Sequence, residues 1–192
     1  MKRLVLTLVM ALAAAGCGKD STRPPRDLPQ ADGMMTARVR GRDWAAVDAS
    51  GRRAALGLLM DFGPGDRVLT LMGMRLARGD TVFSDIYLVV GGVAPGSYLL
   101  GDSTANSGVW LVERKVGSDT LDTSWSTDAT HTGTLTITRF DSLAKTVAGR
   151  FGFSGWDADS GVVEVTNGSF DLPYTVMRGP TPGAPRLPRS RR

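Results

Sequence analysis

The alternation of apolar and polar residues with a period of two is the feature that most limits how this chain can fold. In SFDLPYTVM, residues Phe170, Leu172 and Tyr174 fall on one side of an extended backbone, and in GTLTITRF residues Leu135 and Ile137 alternate with threonines. Successive side chains of a strand point to opposite faces. The pattern therefore predicts strands with one face buried and the other in water.

Two further runs, RVLTLMGMRL and DTVFSDIYLVV, are apolar at most positions. They predict central strands covered on both faces, or strands whose outer face is partly covered by loops. Turn residues separate the strands at regular intervals, at 62–66, 77–80, 91–97, 140–145 and 167–168. Glycine-rich 91–97 is typical of a hairpin connection, and Asn167-Gly168 suits a type I′ hairpin turn. Pro173 has no N–H to donate to a neighbouring strand, which predicts an edge position for its strand.

No segment after residue 16 combines a helical period with capping residues. The fold prediction is therefore all-β, an antiparallel β-sandwich or flattened barrel of about 8–11 strands without substantial helix. The predicted organisation has four parts along the chain: a signal peptide over 1–16, a flexible tether over 17–32, a single β-sandwich domain over 33–177, and a disordered Pro/Arg-rich tail over 178–192.

The first residues have the layout of a secretory signal, in which charged Lys2 and Arg3 precede an apolar run and small residues. The run, LVLTLVMALAAA, would span roughly 18 Å as a helix, which is too short for a hydrocarbon core of about 30 Å. The sequence AAGC that ends at Cys17 resembles the lipobox of bacterial lipoproteins, which implies acylation of Cys17. We therefore expect the membrane as a partner through this lipid anchor. The expected location is the bacterial cell envelope, as an outer-membrane lipoprotein that faces the periplasm or the cell surface.

Charge and cysteine content exclude several classes of function. The formal net charge of the chain is +4, but the positive excess lies in the signal segment and the tail, and the 33–177 domain is mildly acidic. A nucleic-acid partner is not expected, because such proteins carry basic side chains clustered on the folded surface. Cys17 is the only cysteine, which excludes an internal disulfide and a multi-cysteine zinc site.

Four segments occur in an order that resembles a known family: MMTARVRGRDWAA, GSYLLGD, GTLTITRFDSLAKTVAGRFGFSG and VVEVTNGSFDLPY. They look like a family of uncharacterised bacterial lipoproteins with a single β-rich domain of unknown function. The resemblance covers most of 34–177 and consists of turn and core residues. It therefore implies a fold, and it supplies no catalytic residues.

The sequence contains little that indicates catalysis. His131 is the only histidine, and no G-x-S-x-G elbow is present to support a serine triad. Aspartates are scattered mostly through turns, where their side chains bond backbone N–H groups. Asp157 and Asp159 in WDADSG are weak calcium candidates, because oxygen ligands alternate there as in calcium loops. No catalytic residue and no cofactor is predicted.

The tryptophans are the remaining candidates for a binding role. Trp125 and Trp156 lie in loop-like sequence and are predicted as ligand-stacking residues, whereas Trp44 and Trp110 lie in strand-like sequence and are predicted as core. The function favoured is a binding or structural β-sandwich module that contacts a glycan or another envelope protein. The alternative is an envelope hydrolase, for example a carbohydrate-active one, that uses Asp side chains.

Overall fold

The computed structural model describes residues 31–63, 65–101, 107–117 and 123–179. Within these ranges the chain forms strands, turns and bends without a helix. The strands are β1 (Met34–Val39), β2 (Arg42–Ala45), β3 (Ala55–Gly63), β4 (Asp66–Arg75), β5 (Val82–Gly91), β6 (Gly96–Leu100), β7 (Gly108–Lys115), β8 (Thr123–Ser126), β9 (Gly133–Asp141), β10 (Thr146–Asp157) and β11 (Gly161–Arg178). The all-β prediction is confirmed. The predicted signal segment, Cys17 and residues 180–192 of the predicted tail lie outside the described residues.

The strands form one 11-stranded sheet in the order β2-β1-β11-β3-β4-β5-β7-β8-β10-β9-β6, and a further β11–β10 pairing closes it. The closed sheet is flattened into two layers. The first layer has the order β2-β1-β11-β10-β9-β6, and the second has the order β3-β4-β5-β7-β8. The layers join at both sides. At one side the end of β11, Tyr174–Arg178, pairs with Gly57–Asp61 of β3, and at the other Trp156 of β10 pairs with Ser126 of β8. The result is a flattened barrel, one of the two forms that the sequence predicted, although the β11–β3 pair is parallel and the sheet is therefore mixed.

The predicted hairpin turn at Asn167-Gly168 is wrong. Strand β11 continues through both residues, and the pairing with β10 shifts between Phe151 and Phe153 at the same level. Asn167 has a φ of 52°, a value that asparagine tolerates better than most residues. The Asn-Gly pair therefore forms a β-bulge within a long strand. The positive φ that would have suited a hairpin turn is used in this bulge.

The predicted edge position of Pro173 is also wrong, because β11 has neighbours on both sides. On the side away from β10, β1 pairs with β11 as far as Asp171, and β3 begins to pair at Tyr174. Pro173 lies between these two segments, where one neighbouring strand replaces the other. The missing N–H of proline is tolerated at this position inside the sheet because no ladder hydrogen bond is required there.

The predicted hairpin connection at 91–97 is wrong, and a two-residue hairpin lies at a position where none was predicted. The glycine-rich 91–97 segment is not a hairpin connection, because β5 pairs with β7 and β6 pairs with β9. The chain there crosses from the second layer to the first. A two-residue hairpin with both φ values positive does occur, at Arg40 (49°) and Gly41 (72°) between β1 and β2, which is the backbone pattern of a type I′ turn.

The core lies between the two layers and follows the period-two pattern. The inward faces predicted for β9 and for the end of β11 are confirmed, since Leu135, Ile137 and Leu172 are fully buried. Trp44 is buried as predicted, and its indole N–H donates a hydrogen bond across the core to Oγ of Ser84, 3.1 Å away. Among the described residues, no helix is long and apolar enough to span a membrane.

Candidate functional site

Seven residues at matching register positions cross the outer side of the second layer and continue past its edge onto β10 and β11, and we call them the outer row. In order they are Leu56, Met72, Tyr87, Trp110, Ser126, Trp156 and Val162. Their neighbours along the strands are buried, including Leu71, Leu88, Leu111 and Trp125. Alternation along a strand therefore directs the side chains of the outer row away from the core. The row includes two large exposed aromatics, Trp110 at 39% exposure and Trp156 at 44%.

The indole of Trp110 lies over Gly108 of the same strand. A β-carbon built on Gly108 would approach three atoms of the six-membered ring, Cη2, Cζ2 and Cζ3, to 3.2, 3.5 and 3.7 Å. Three ring atoms at similar distances indicate that this ring lies over the glycine with a face toward it. Trp110 is 39% exposed, so part of the indole is open to solvent, and an exposed ring is what stacking of a flat ligand requires.

Trp156 is stacked against His131, with ring centroids 6.1 Å apart and an interplanar angle of 12°. His131 is held by the loop that precedes β9, where Nδ1 lies 3.1 Å from Oδ1 of Asp128. The same carboxylate oxygen accepts hydrogen bonds from the backbone N–H groups of Thr130 and His131. These bonds lower the pKa of Asp128. The loop thus fixes His131, and His131 in turn supports Trp156.

The outer side of the first layer has a different character. Its side chains form polar pairs across strands, such as Thr36 with Ser169 (2.9 Å) and Ser97 with Thr136 (3.0 Å). The outer row of the second layer contains mostly apolar and aromatic side chains. Antiparallel sheets commonly have one solvated face with polar residues, and larger exposed apolar patches mark contact sites. The second layer is therefore the side of the domain that is suited to binding.

Trp125, predicted as a stacking residue, is in the core. It is 4% exposed, and it points inward from β8 opposite Leu111 of β7. The guanidinium of Arg40 lies 4.4 Å from the centroid of its ring, and Arg40 also contacts Oε1 of Glu113 at 2.8 Å. Trp110, predicted as core, is exposed. The two tryptophans therefore exchange their predicted roles. Which face of β7 and β8 is buried depends on the layer that packs against these strands, and the local sequence does not indicate it.

Asp85 lies on the same outer side, two residues before Tyr87 of the outer row, and is therefore the next outward-facing position along β5. It pairs with Met74 of β4 and Val112 of β7, and it is 5% exposed. Its Oδ1 atom is buried and has no hydrogen-bond partner. Burial raises the pKa of Asp85, against the opposing effect of the Arg114 guanidinium. Burial also raises the pKa of Tyr87, with the charge of Asp85 as the second cause.

A cleft of about 560 Å³ at the β1–β2 end of the barrel contains several carboxylates. Glu113 is paired with Arg40 as described, Asp80 with Arg75 at 3.3 Å, and Asp43 with Arg38 at 3.4 Å. Glycosidases commonly need one protonated and one free carboxyl group at a fixed separation. Each of the described carboxylates of this cleft forms an ion pair with an arginine. Such ion pairs favour the ionised form of a carboxylate, and the cleft therefore does not favour hydrolysis that needs a protonated one.

The weak calcium candidates lie in the turn between β10 and β11. Oδ1 of Asp157 accepts hydrogen bonds from the backbone N–H groups of Asp159 and Ser160 at 3.1 and 2.9 Å. This is the usual role of an aspartate at the start of a turn. In the part of the chain that the structure describes, no group of three or more His, Cys, Asp or Glu side chains is placed to hold a metal ion.

The binding candidate that sequence reasoning missed is Trp110. Its neighbours in GVWLVERK are apolar on both faces, so the sequence gives no sign of which face is buried. The available signal was Gly108 two positions earlier, since a glycine in a strand often marks a close approach of another group.

A family model described as "Domain of unknown function (DUF6252)" matches residues 72–172. The matched stretch runs from Met72 in β4 into β11 and includes Tyr87, Trp110, Ser126 and Trp156 of the outer row. No curated protein and no solved structure matches the chain.

Proposed function

The chain belongs to the family described as a domain of unknown function (DUF6252), and from this premise we propose that it is a lipid-anchored carbohydrate-binding module of the bacterial cell envelope. Trp110 and Trp156 are the residues that contact the ligand in this proposal. The family description assigns no activity, so the support comes from the surface of the chain itself.

One observation carries the proposal: two exposed tryptophans flank the same residue on the outside of the barrel, where the two layers join. Trp110 of β7 and Trp156 of β10 are both register partners of Ser126. The C–H groups of a sugar ring pack against the face of an indole, and tryptophan contributes much contact area with little loss of side-chain entropy. Ser126 adds a hydroxyl group between the two rings, which can donate and accept hydrogen bonds with sugar hydroxyls.

The anchor is supported by the sequence around Cys17, which resembles a lipobox. The segment 17–32 would separate the domain from the lipid by up to roughly 55 Å if it were fully extended. Such a tether would allow the outer row to reach a polymer outside the bilayer. Outer-membrane attachment, facing the periplasm or the surface, is part of the same proposal.

The test is a binding assay of the full chain against immobilised glycans, with variants at the outer row. We expect Trp110→Ala and Trp156→Ala each to weaken binding by about two- to tenfold and the double variant to bind less than either. Met74→Ala is the matched control, because Met74 is exposed to 39% on the same side of the sheet but lies outside the outer row. Equal losses in all three single variants would indicate general apolar adsorption and contradict the proposal.

A further inference from the structure

Resting on the proposed function, we infer that the glycan continues from Trp156 into a shallow polar cleft farther along β10, where the Glu164 carboxylate accepts hydrogen bonds from a neutral sugar unit. The ligand is then an oligosaccharide with at least two linked units, one on the indole and one in the cleft. Glu164 is the residue that selects the second unit.

The cleft has a volume of about 460 Å³ and lies on the outer side of the first layer. Gly152 of β10 forms its floor, with Thr134 of β9 as its register partner on one side and Thr166 of β11 on the other. A β-carbon built on Gly152 would have no described side-chain atom within 4 Å, and its nearest neighbour would be the carbonyl oxygen of Val165 at 3.3 Å. The missing side chain of Gly152 therefore leaves space for a ligand between two hydroxyl-bearing strands.

The cleft is continuous with the Trp156 indole through two residues. Ser154 lines the cleft and is the next outward-facing position before Trp156 on β10. Thr132 also lines the cleft, and its carbonyl oxygen accepts a hydrogen bond from the N–H of Ser154 at 2.9 Å. Thr132 follows His131, whose ring is stacked against Trp156. Trp156 itself does not line the cleft, so a ligand that fills both places needs two linked units.

Glu164 carries the only charge among the residues that line the cleft. It is exposed on β11 opposite Ser154, and its carboxylate forms neither a hydrogen bond nor an ion pair with a residue that the structure describes. An ionised carboxylate accepts hydrogen bonds and donates none. Such charge-assisted bonds are roughly twice as strong as bonds between neutral groups. The hydroxyl groups of a sugar are donors of the kind that this carboxylate lacks.

The charged residues beside the cleft are consistent with a neutral sugar unit. Arg38 of β1 is paired with Asp43 at 3.4 Å. Arg150 is the next outward-facing position beyond Gly152 on β10, and it does not line the cleft. A carboxylated or phosphorylated unit would place a second negative charge beside Glu164, and like charges in contact disfavour binding.

The experiment is a titration of the full chain with the mono-, di- and tetrasaccharides of glucose, mannose and N-acetylglucosamine, and with oligogalacturonate as the carboxylated comparison. We expect Glu164→Ala to lower the affinity for a neutral tetrasaccharide about tenfold. Glu164→Gln keeps the shape and one acceptor oxygen, and its loss should be smaller. A monosaccharide occupies one of the two places, so the gain in affinity from mono- to tetrasaccharide should shrink in Glu164→Ala.

Gly152→Val fills the cleft with a side chain and should lower tetrasaccharide affinity as Glu164→Ala does. Thermal unfolding verifies that each variant is folded, and the exposed Glu164 variants carry the test if Gly152→Val does not fold. Arg150→Ala is the matched control, because it removes an outward-facing charge from the same strand outside the cleft. Its affinity should equal that of the wild type.

Unchanged tetrasaccharide affinity in Glu164→Ala and Gly152→Val, with a loss in Trp156→Ala, would overturn this inference and leave the proposed function in place. A preference for oligogalacturonate, or a loss in Arg150→Ala without one in Glu164→Ala, would also overturn it, because the ligand would then be negatively charged. Binding of none of the neutral sugars would overturn the inference. Retention on no immobilised glycan would overturn the proposed function as well.

Discussion

The six-membered ring of Trp110 occupies the space that a side chain at Gly108 would need. A β-carbon at Gly108 would lie 3.2 Å from Cη2 of the indole, which is tighter than an ordinary van der Waals contact. The glycine therefore allows the indole to lie over the sheet, and the orientation of the stacking face depends on a residue without a side chain.

We expect Gly108→Val to lift the Trp110 ring from the sheet and to weaken glycan binding by about two- to tenfold. Gly108→Ala should have a smaller effect of the same sign. Stability should change by no more than about 1 kcal/mol, because the ring is at the surface and can move. Ser124→Val on the neighbouring strand β8 is the control. Glycan titrations of the folded variants measure the effect, and wild-type affinity in Gly108→Val would refute it.

Trp125 is expected to matter for stability and not for ligand contact. Trp125→Ala should lower the free energy of unfolding by about 3–5 kcal/mol, because the substitution leaves a cavity in the core. Trp125→Phe should cost less and should bind glycans as the wild type does. Urea unfolding and glycan titration measure the two properties separately. A loss of glycan affinity in folded Trp125→Phe would restore the stacking role that the sequence alone suggested.

Arg40 is expected to stabilise the end of the barrel through two contacts, the ring of Trp125 at 4.4 Å and the carboxylate of Glu113 at 2.8 Å. Arg40→Ala should therefore cost about 0.5–1 kcal/mol in urea unfolding, most of it from the cation–π contact, because the Arg40 side chain is partly exposed. The ion pair is partly exposed and should contribute less. Arg42→Ala, two residues away in the same hairpin, is the control and should cost little. Equal costs would assign the effect to the hairpin and not to these contacts.

Asp85 is expected to make the protein less stable as the pH rises. Its pKa in the folded state is raised above the ordinary value of 3.8, so the folded state holds the proton more tightly than the unfolded state. Stability therefore falls as the pH rises from about 3.8 through the raised value. Asp85→Asn cannot titrate, and its stability relative to the wild type should increase over the same interval.

The comparison of the two proteins isolates Asp85. The lowered pKa values of Asp48 and Asp128 act with the opposite sign, since their stabilisation is lost as the pH falls below about 3.8. They are present in both proteins, so their contributions cancel in the difference. Urea unfolding at a series of pH values from 3 to 8 measures that difference. A difference that does not vary with pH would contradict the assignment.

Cys17 is expected to control attachment to the membrane. In a bacterial host the wild-type chain should incorporate labelled fatty acid and fractionate with membranes, because several acyl chains at one residue give durable attachment. Cys17→Ser should lose the label and appear in the soluble fraction. Trp156→Ala serves as a control, since it should keep the label. Membrane attachment of unlabelled Cys17→Ser would refute the lipid anchor.

Local sequence was sufficient for much of the fold. The period of two in GTLTITRF and SFDLPYTVM predicted strands and the correct inward residues, such as Leu135 and Leu172. The reason is that a side chain's face in a strand follows from its position, provided that apolar and polar residues alternate. The aspartate-led turns at 140–145 and in WDADSG also follow from sequence, because Asp141 and Asp157 bond backbone N–H groups two or three residues ahead.

The binding face was decided only by tertiary structure. Strands β4, β5 and β7 are apolar on both sides, so their sequences do not indicate which side faces the core. That choice depends on the layer opposite, where Trp44 and Met35 come so close to Gly73 that only a glycine fits at that position. Once the inward positions are set, register brings Trp110 and Trp156 beside Ser126 from segments that are distant in sequence. Pro173 and Asn167 acquire their roles in the same way. The sequence by itself determined that the chain forms strands and turns, and the packing of one layer on the other determined which tryptophans meet the solvent.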